Sequence, residues 1–167
     1  SLLAVELFSS TSPCYHVAAR ADAPTPLLRA RSARPLSSAF VVNLIIPAAD
    51  GAYQVSFYFG VHEPECAAPA DKLLARFADG TDAFRNARFK IIPCVQEGSW
   101  LVKTAVGSRP AILGKTLRQR FYRGSAGAAE LPYFEVDVDC NSSPAAGRIV
   151  SLVKSYARSL VVDLAFV

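Results

Sequence analysis

Three acidic residues at alternate positions are the spacing in this chain most suited to chemistry. Glu135, Asp137 and Asp139 occur in YFEVDVD (133–139), so a strand would place all three carboxylates on one face. Carboxylates this close can exchange protons or hold a cation. The segment TLRQRFY (116–122) supplies arginines at the same alternate spacing. Ion pairing with those arginines is the favoured interpretation, and acid–base chemistry is the alternative.

The histidines and cysteines form no recognisable catalytic or metal-binding pattern. His16 lies in a proline-broken segment and His62 ends a predicted strand, and no nucleophile elbow accompanies either. The four cysteines, at positions 14, 66, 94 and 140, lack C-x-x-C spacing, which favours buried free thiols. A disulfide between distant cysteines stays open. We predict no catalytic residue, no cofactor and no metal, and a protein that is not an enzyme.

A second concentration of polar residues lies in FADGTDAFRNARFKIIPCVQEGSW (77–100). Asp79 and Asp82 flank a Gly-Thr turn without the ligand series of a calcium loop, so turn and cap formation is favoured. Asn86 and Glu97 are side chains of the same kind, which tie corners through charge-assisted hydrogen bonds. We predict that these four residues form a structural polar corner, with a ligand or partner surface as the alternative.

Basic residues outnumber acidic residues by 18 to 14, which gives a net charge of +4. A basic surface can serve nucleic acid or anionic lipid, although an Ala- and Arg-rich composition explains much of the excess. No phosphate-binding G-K-[ST] loop is present, and we expect no nucleic acid partner. The candidate ligand or partner surface consists of Arg85, Arg88, Lys90, Trp100, Lys103, Arg109 and Lys115.

The elements that must position these residues begin with a segment broken by prolines. LLAVELF (2–8) is predicted as a strand or short helix, and residues 1–36 as a whole as an extended arm. FVVNLII (40–46) and YQVSFYFGV (53–61) are predicted to form an antiparallel hairpin. No apolar run approaches the ~20 residues that a membrane-spanning helix needs.

Short helices and a second hairpin follow. Helices are predicted at 70–78, at 82–87 with a Thr81 cap, and at 100–106 between Ser99 and Gly107, with a strand at 88–92 that Pro93 makes an edge or a bulge. TLRQRFY and YFEVDVD are predicted to pair with Arg120 opposite Glu135 and Arg118 opposite Asp137. That register places opposite charges on one face of the hairpin and apolar residues on the other.

The C-terminal segment has the clearest helical periodicity. Ser142 or Ser143 can cap a helix over 144–160, with Pro144 in its first turn. Its apolar stripe consists of Ile149, Leu152, Val153, Tyr156, Ala157 and Leu160. The tail VVDLAFV (161–167) either extends this helix or forms a final strand.

Together these elements predict an α+β fold in a single domain over 1–167. An antiparallel β-sheet of about four to six strands would carry the long C-terminal amphipathic helix packed on one face, with short helices at the edge. A sheet curled round such a helix would enclose an apolar cavity for a lipid or pigment tail. The chain starts at Ser1 and contains no methionine, so we expect a processed protein, an excised domain or part of a longer chain.

Several motifs in the same order identify a resemblance to a known family. FADGTDAFRNARFKIIPCVQEGSWLVKTAVG (77–107), YFEVDVD (133–139) and SLVVDLAFV (159–167) resemble the C-terminal domain of plant enhanced-disease-resistance-two proteins. FVVNLIIP (40–47) and LLAVELF (2–8) are similar to it too. The family extends past the position of Val167, so its final segment is expected to be missing. In plant members the domain often follows pleckstrin-homology and START-type domains. Those neighbouring domains imply lipid binding and membrane-linked regulation.

The function predicted from the sequence is a non-enzymatic binding or regulatory module associated with membranes through lipid or another hydrophobic ligand. The alternative is an accessory structural subunit docked through its arm on a larger membrane protein complex, for example a photosynthetic complex in an organelle. The predicted partners are accordingly a lipid or membrane surface, or a larger protein complex. The expected location is peripheral to a membrane, on its cytoplasmic face or in an organelle such as a plastid.

Overall fold

A computed structural model describes residues 1–20, 27, 36–62, 69–126, 131–159 and 161–167, and these residues are mostly β. Their strands are β1 Leu2–Ser10, β2 Leu36–Ala48, β3 Gly51–His62, β4 Lys90–Glu97, β5 Ala111–Ile112, β6 Arg118–Ala126, β7 Leu131–Asp139 and β8 Val161–Phe166. Their α-helices are α1 Pro69–Asp79, α2 Asp82–Asn86, α3 Trp100–Val106 and α4 Pro144–Ser155.

The described strands form a five-stranded sheet in the order β1-β3-β2-β7-β6 and a three-stranded sheet in the order β5-β4-β8. The predicted hairpin of β2 and β3 is confirmed, with Phe40 opposite Phe59 and Asn43 opposite Ser56. β2 and β7 pair in parallel, so the larger sheet is mixed rather than antiparallel. This pairing joins strands about ninety residues apart, as a crossover connection allows.

An aromatic core fills the space between the two sheets. Phe40 stacks on Phe134 with ring centroids 6.2 Å apart, and Phe89 stacks on Phe166 at 5.9 Å. Phe77 of α1 closes the same cluster, with its ring edge-on to Phe134 at 5.8 Å. Aromatic pairs in these arrangements contribute about 0.5–1.5 kcal/mol each beyond the area they bury. This core holds the small sheet and α1 against the larger sheet.

The opposite face of the larger sheet carries a second core and a row of buried polar groups. Val17, Ala18 and Leu27 pack there against Val41 and Tyr58. Residues 14–18, which we call the strap, run across the sheet and enter a short 3-10 turn at Val17–Ala19. The strap therefore covers the face that holds Glu135 and Asp137, which are both fully buried.

The predicted α+β architecture is wrong in its main feature, the long C-terminal helix on one sheet face. α4 ends at Ser155, and none of its described residues is buried. Ile149 of the predicted stripe remains 40% exposed, and Val150, outside that stripe, packs against the aromatic core. The tail forms β8, the final strand that was one of its two predicted alternatives, and its pairing with β4 satisfies backbone groups that a continued helix would have satisfied internally. The predicted apolar cavity required a long helix over the sheet, so the argument for that cavity no longer applies.

The second hairpin forms with the predicted faces but in a register two residues away from the prediction. Arg118 lies opposite Asp139 and Arg120 opposite Asp137, while Phe121 lies opposite Val136. A shift of two preserves which side chains share a face, because strand side chains alternate with a period of two. The alternation of side chains along each strand predicts which residues share a face of the hairpin. The local sequence does not determine the register in which the two strands pair.

In the described part of the predicted arm, the strand alternative for LLAVELF (2–8) is confirmed. β1 is an edge strand of the larger sheet, with Val5 opposite Phe57 and Leu7 opposite Val55. The strap then packs on that sheet, so the described part of the arm lies against the domain. The predictions for 21–26 and 28–35 lie outside the described residues.

Candidate functional site

The buried carboxylates of Glu135 and Asp137 hold the strap through its backbone. Glu135 accepts hydrogen bonds from the backbone N–H of Val17 at 2.7 Å and of Ala18 at 3.0 Å. Asp137 accepts one from the backbone N–H of His16 at 2.8 Å. Three successive donors are thus directed at two side chains that alternation places on one face of β7. Each is a hydrogen bond to a carboxyl oxygen in a site closed to water.

Amide and hydroxyl groups from β2 and β3 complete this network. The Asn43 side-chain amide donates to Asp137 Oδ1 at 3.0 Å and to the carbonyl oxygen of Cys14 at 3.0 Å. Its own oxygen accepts from Ser56 Oγ at 3.1 Å. Asn43 and Ser56 are both fully buried. The network therefore links β7, β2 and β3 to the strap, and buried polar networks with every member satisfied fix a unique arrangement.

Burial sets the protonation of this carboxyl pair. Removal from water, reinforced by the adjacent Asp137, raises the pKa of Glu135 to about 9. Burial also raises the pKa of Asp137, against the lowering effect of its hydrogen bonds from Glu135, His16 and Asn43. Two adjacent buried carboxyl groups do not both ionise readily, which favours a protonated Glu135 near neutral pH.

His16 lies at the solvent side of the network. Its backbone is left-handed, with φ 57°, and its ring stacks on Tyr122 at 4.4 Å between centroids. Its Nε2 is hydrogen-bonded to Tyr133 Oη at 2.9 Å. Burial lowers the pKa of His16, which favours the neutral ring. A left-handed histidine costs conformational energy, and the hydrogen bonds of the strap hold it in place.

The interpretation of the acidic trio as arginine ion pairs is wrong. Arg120 faces Asp137 in the register, but it is exposed and its guanidinium lies 3.8 Å from the centre of the Tyr15 ring. The carboxyl groups receive backbone and amide donors instead. Chemically, this enclosed pair can hold a proton and anchor the strap. Among the described residues, no cluster of His, Cys, Asp and Glu has the arrangement of a metal site.

The predicted polar corner surrounds the end of α1. Arg85 Nε donates to the carbonyl oxygen of Phe77 at 3.1 Å, and its Nη1 meets Asp82 Oδ1 at 2.6 Å. From β6, Arg123 donates to the carbonyl oxygen of Ala78 and to Asp79 Oδ1, the latter at 2.7 Å. Arginines at a helix C-terminus satisfy its last carbonyl groups and favour its dipole. These two cap α1, with the aspartates as counter-charges.

The other corner residues have simpler surroundings. Thr81 caps α2 by accepting from the backbone N–H of Phe84 at 3.2 Å, as predicted. The backbone of Asn86 lies against Gly114, where an added Cβ would come within 2.4 Å of it. Glu97 is exposed at the end of β4.

The predicted basic surface is distributed over several elements and loses one member. Arg85 is only 9% exposed, with its guanidinium 5.1 Å from the rings of Phe121 and Phe134. Lys90 is half-buried in β4. Trp100 is 71% exposed. The remaining members are exposed on α3 or in the connecting segments, and they are Arg88, Lys103, Arg109 and Lys115.

Further exposed apolar side chains lie on the elements next to α3, which begins at Trp100, and sequence reasoning missed them. α3 packs against both β4 and α4, and α4 leads through a 3-10 turn into β8. These elements carry the apolar set, which we define as Trp100, Leu101, Ile149, Val161 and Val162, each at least 36% exposed. The sequence signal for this set was the apolar run WLV at the start of α3. A short helix on the surface buries only part of such a run, and here it buries Val102 alone.

A shallow groove of about 230 Å³ lies between α1 and the end of the larger sheet. Its walls are mainly apolar, with Leu74 and Ala75 on one side and Phe40 and Phe134 on the other. The polar groups at its margin belong to Ser38, Arg123 and Tyr133. Among the described helices, none has the length and apolarity to cross a bilayer. The groove and the apolar set are two surfaces of the described part of the chain that are open to a ligand.

Comparison with known proteins confirms the resemblance seen in the sequence motifs. A family model described as Protein ENHANCED DISEASE RESISTANCE 2, C-terminal, matches residues 1–167. An Arabidopsis thaliana relative, Protein ENHANCED DISEASE RESISTANCE 2-like, is 38% identical over 165 residues, which cover 99% of this chain and 21% of the relative. The chain therefore spans about a fifth of the length of that curated relative. No solved structure gives a significant match.

Proposed function

The chain belongs to the family defined by the C-terminal region of Protein ENHANCED DISEASE RESISTANCE 2, and within that family we propose that it is a non-enzymatic, membrane-associated lipid-binding module. The groove between α1 and the larger sheet takes up part of a single acyl chain. The observation that carries this proposal is the apolar lining of that groove, from Leu74 and Ala78 of α1 to Phe40 and Phe134 of the sheet.

The size and chemistry of the groove support an acyl chain over a polar metabolite. Sites for whole small molecules typically enclose about 300–1,000 Å³ and place several polar groups against the ligand. This groove is smaller, at about 230 Å³, and the guanidinium of Arg123 at its margin is already paired with Asp79 at 2.7 Å. A flexible apolar chain needs no polar partner, and the rest of the lipid would lie outside the groove.

The enclosed carboxyl pair supports a scaffold role. Glu135 and Asp137 are fully buried and are occupied by the strap and by Asn43. A general acid or base must come within hydrogen-bond reach of a substrate atom, and the strap occupies that position. The proposal therefore assigns these groups to holding the fold, with binding elsewhere.

The test is a titration with a fluorescent long-chain fatty acid, followed by competition with unlabelled lipids. Wild-type protein should bind it saturably. The variant Ala75→Phe, which projects a ring into the groove from an exposed helix position, should bind about tenfold more weakly or not at all. Ala83→Phe, an equal change at an exposed position of α2, is the matched control and should bind like wild type. Failure of the wild type to bind, or equal binding by Ala75→Phe, would reject the proposal.

A further inference from the structure

The apolar set, on α3, α4 and β8, is exposed in a way that folding alone does not explain. Trp100 is 71% exposed and Leu101 47%, although both begin a helix whose Val102 is fully buried. Val161 lies opposite Glu97 in the β4–β8 pairing, and Glu97 is three residues before Trp100. Ile149 lies on α4, which packs against α3. Exposed apolar side chains concentrated on adjacent elements mark interaction sites, whereas isolated ones do not.

The charges on the same elements favour a negatively charged partner. Lys103, Arg148 and Arg158 are exposed on α3, α4 and the turn that follows α4. Lys154 is also exposed, and its Nζ lies 4.9 Å from the centre of the Tyr53 ring. Opposing them on β4 and β8 are Glu97 and Asp163, and Asp163 already accepts a hydrogen bond from Gln96 at 2.6 Å. Lys103 and Lys154 also donate hydrogen bonds to the carbonyl oxygens of Gln96 and Pro47, at 2.8 and 3.1 Å. On the elements that carry the apolar set, exposed cations therefore outnumber exposed anions.

We propose that this side of the molecule docks on the headgroup layer of an anionic bilayer, with the side chains of Trp100 and Leu101 inserted and Lys103, Arg148 and Arg158 over the lipid phosphates. A tryptophan suits this depth because its ring is apolar and its N–H can bond to water or headgroups. Basic side chains near an anionic surface each contribute attraction that falls off within a Debye length. The proposal rests on the proposed function for its membrane setting, and it assigns the surface that contacts the membrane.

The chain provides its own probe, because Trp100 is its sole tryptophan. Tryptophan emission is recorded while vesicles are added, either of phosphatidylcholine alone or of phosphatidylcholine with phosphatidylserine. With phosphatidylserine present, we expect a blue shift of the emission and quenching by lipids brominated on their acyl chains. Added salt should reverse the effect, because it screens the charges. Unchanged emission with both kinds of vesicle would overturn the proposal.

Variants locate the docking surface. Leu101→Ser should weaken vesicle binding on the order of tenfold, from the loss of one inserted leucine. Leu7→Ser is the matched control, because Leu7 is 69% exposed on β1, outside the elements that carry the apolar set. It should bind vesicles like wild type. Arg148→Ala should weaken binding about fivefold on anionic vesicles and leave binding to phosphatidylcholine unchanged. Equal loss in Leu7→Ser and Leu101→Ser would contradict the assigned surface.

The two experiments distinguish an error in the proposed membrane-docking surface from an error in the proposed lipid-binding groove. If the docking surface is wrong and the groove is right, Leu101→Ser binds vesicles like wild type, while Ala75→Phe still loses the fluorescent fatty acid. If the groove is wrong and the docking surface is right, wild-type protein fails to bind the fatty acid yet shows the blue shift on anionic vesicles. Thermal unfolding of each variant checks that it folds, which exposed positions should permit.

Discussion

Glu135 and Asp137, two residues apart on β7, together accept hydrogen bonds from three successive backbone N–H groups of the strap, and burial raises the pKa of both carboxyl groups. A strand places alternate side chains on one face, and here that face is closed by chain rather than open to water. The protonation of these two carboxyl groups is therefore coupled to the packing of residues 14–18 on the sheet. Predictions about stability follow from this arrangement.

Stability should fall as the pH rises from about 5 to about 9. Burial raises the pKa of Glu135 to about 9 in the folded protein, while an unfolded chain has the ordinary value near 4.5. Between these values the folded state binds a proton that the unfolded state has released, so the free energy of unfolding decreases with pH. For one proton the slope reaches about 1.4 kcal/mol per pH unit. Urea unfolding at several pH values measures it.

Glu135→Gln provides the control for that profile. The amide cannot ionise, so the decrease between pH 5 and 9 should become shallower. Its NH₂ group would also face a backbone N–H of the strap, which should cost about 1–3 kcal/mol at pH 5. A variant with the same pH slope as wild type would show that another group is responsible.

Glu135→Ala should release the strap. It removes the acceptor of the Val17 and Ala18 N–H groups and leaves both donors buried, at a cost of about 2–4 kcal/mol. Hydrogen exchange should accelerate at the amides of His16, Val17 and Ala18 more than at those of β4. Uniform acceleration throughout the chain would instead indicate that the strap and the sheets open together.

Arg85 and Arg88 form a pair for testing the polar corner. Arg85→Ala should cost about 2–3 kcal/mol, because the carbonyl groups of Phe77 and Ala78 at the end of α1 lose a charged donor. Arg88 is exposed with its guanidinium 4.0 Å from the centre of the Phe84 ring, so Arg88→Ala should cost about 1 kcal/mol or less. Thermal unfolding compares them, and equal costs would contradict the capping role.

Gly114 lies in a 3-10 turn, Leu113–Lys115, that follows β5, and it tests the contact of that turn with α2. A Cβ there would lie 2.4 Å from the backbone of Asn86, so Gly114→Ala should cost about 1–3 kcal/mol. Gly147 lies in α4 with open space around its Cβ position, and Gly147→Ala should stabilise by about 0.5–1 kcal/mol. Opposite signs in chemical unfolding are the expected result. A neutral Gly114→Ala would mean that the two backbones can separate freely.

Local sequence predicted the elements whose signals are local. The Thr81 cap, the helix over Trp100–Val106 ended by Gly107, and the hairpin of β2 and β3 all rest on capping, turn and alternation rules. The side chain of Ser99, predicted as a cap, makes no cap hydrogen bond. Such rules constrain a few neighbouring residues, so they succeed where distant chain does not decide the outcome.

The remaining features of the fold depend on contacts between segments that are distant in sequence. β2 pairs in parallel with β7, and residues 161–166 pair with β4. Both pairings join segments that are far apart in sequence, so the hydrophobic periodicity within one segment does not predict them. The same applies to the acidic trio. An alternating pattern predicted one shared face, and only the strap made that face a buried one that favours protonated carboxyl groups. The groove and the apolar set likewise arise from elements that meet only in the folded protein.

The most direct test of the lipid-binding account is native mass spectrometry of gently purified protein, comparing wild type with Ala75→Phe. The account predicts that single-chain or phospholipid adducts travel with the wild-type protein and are depleted in Ala75→Phe, while Ala83→Phe retains them. Wild-type protein free of lipid under conditions that preserve such adducts, or equal adducts in all three proteins, would contradict it.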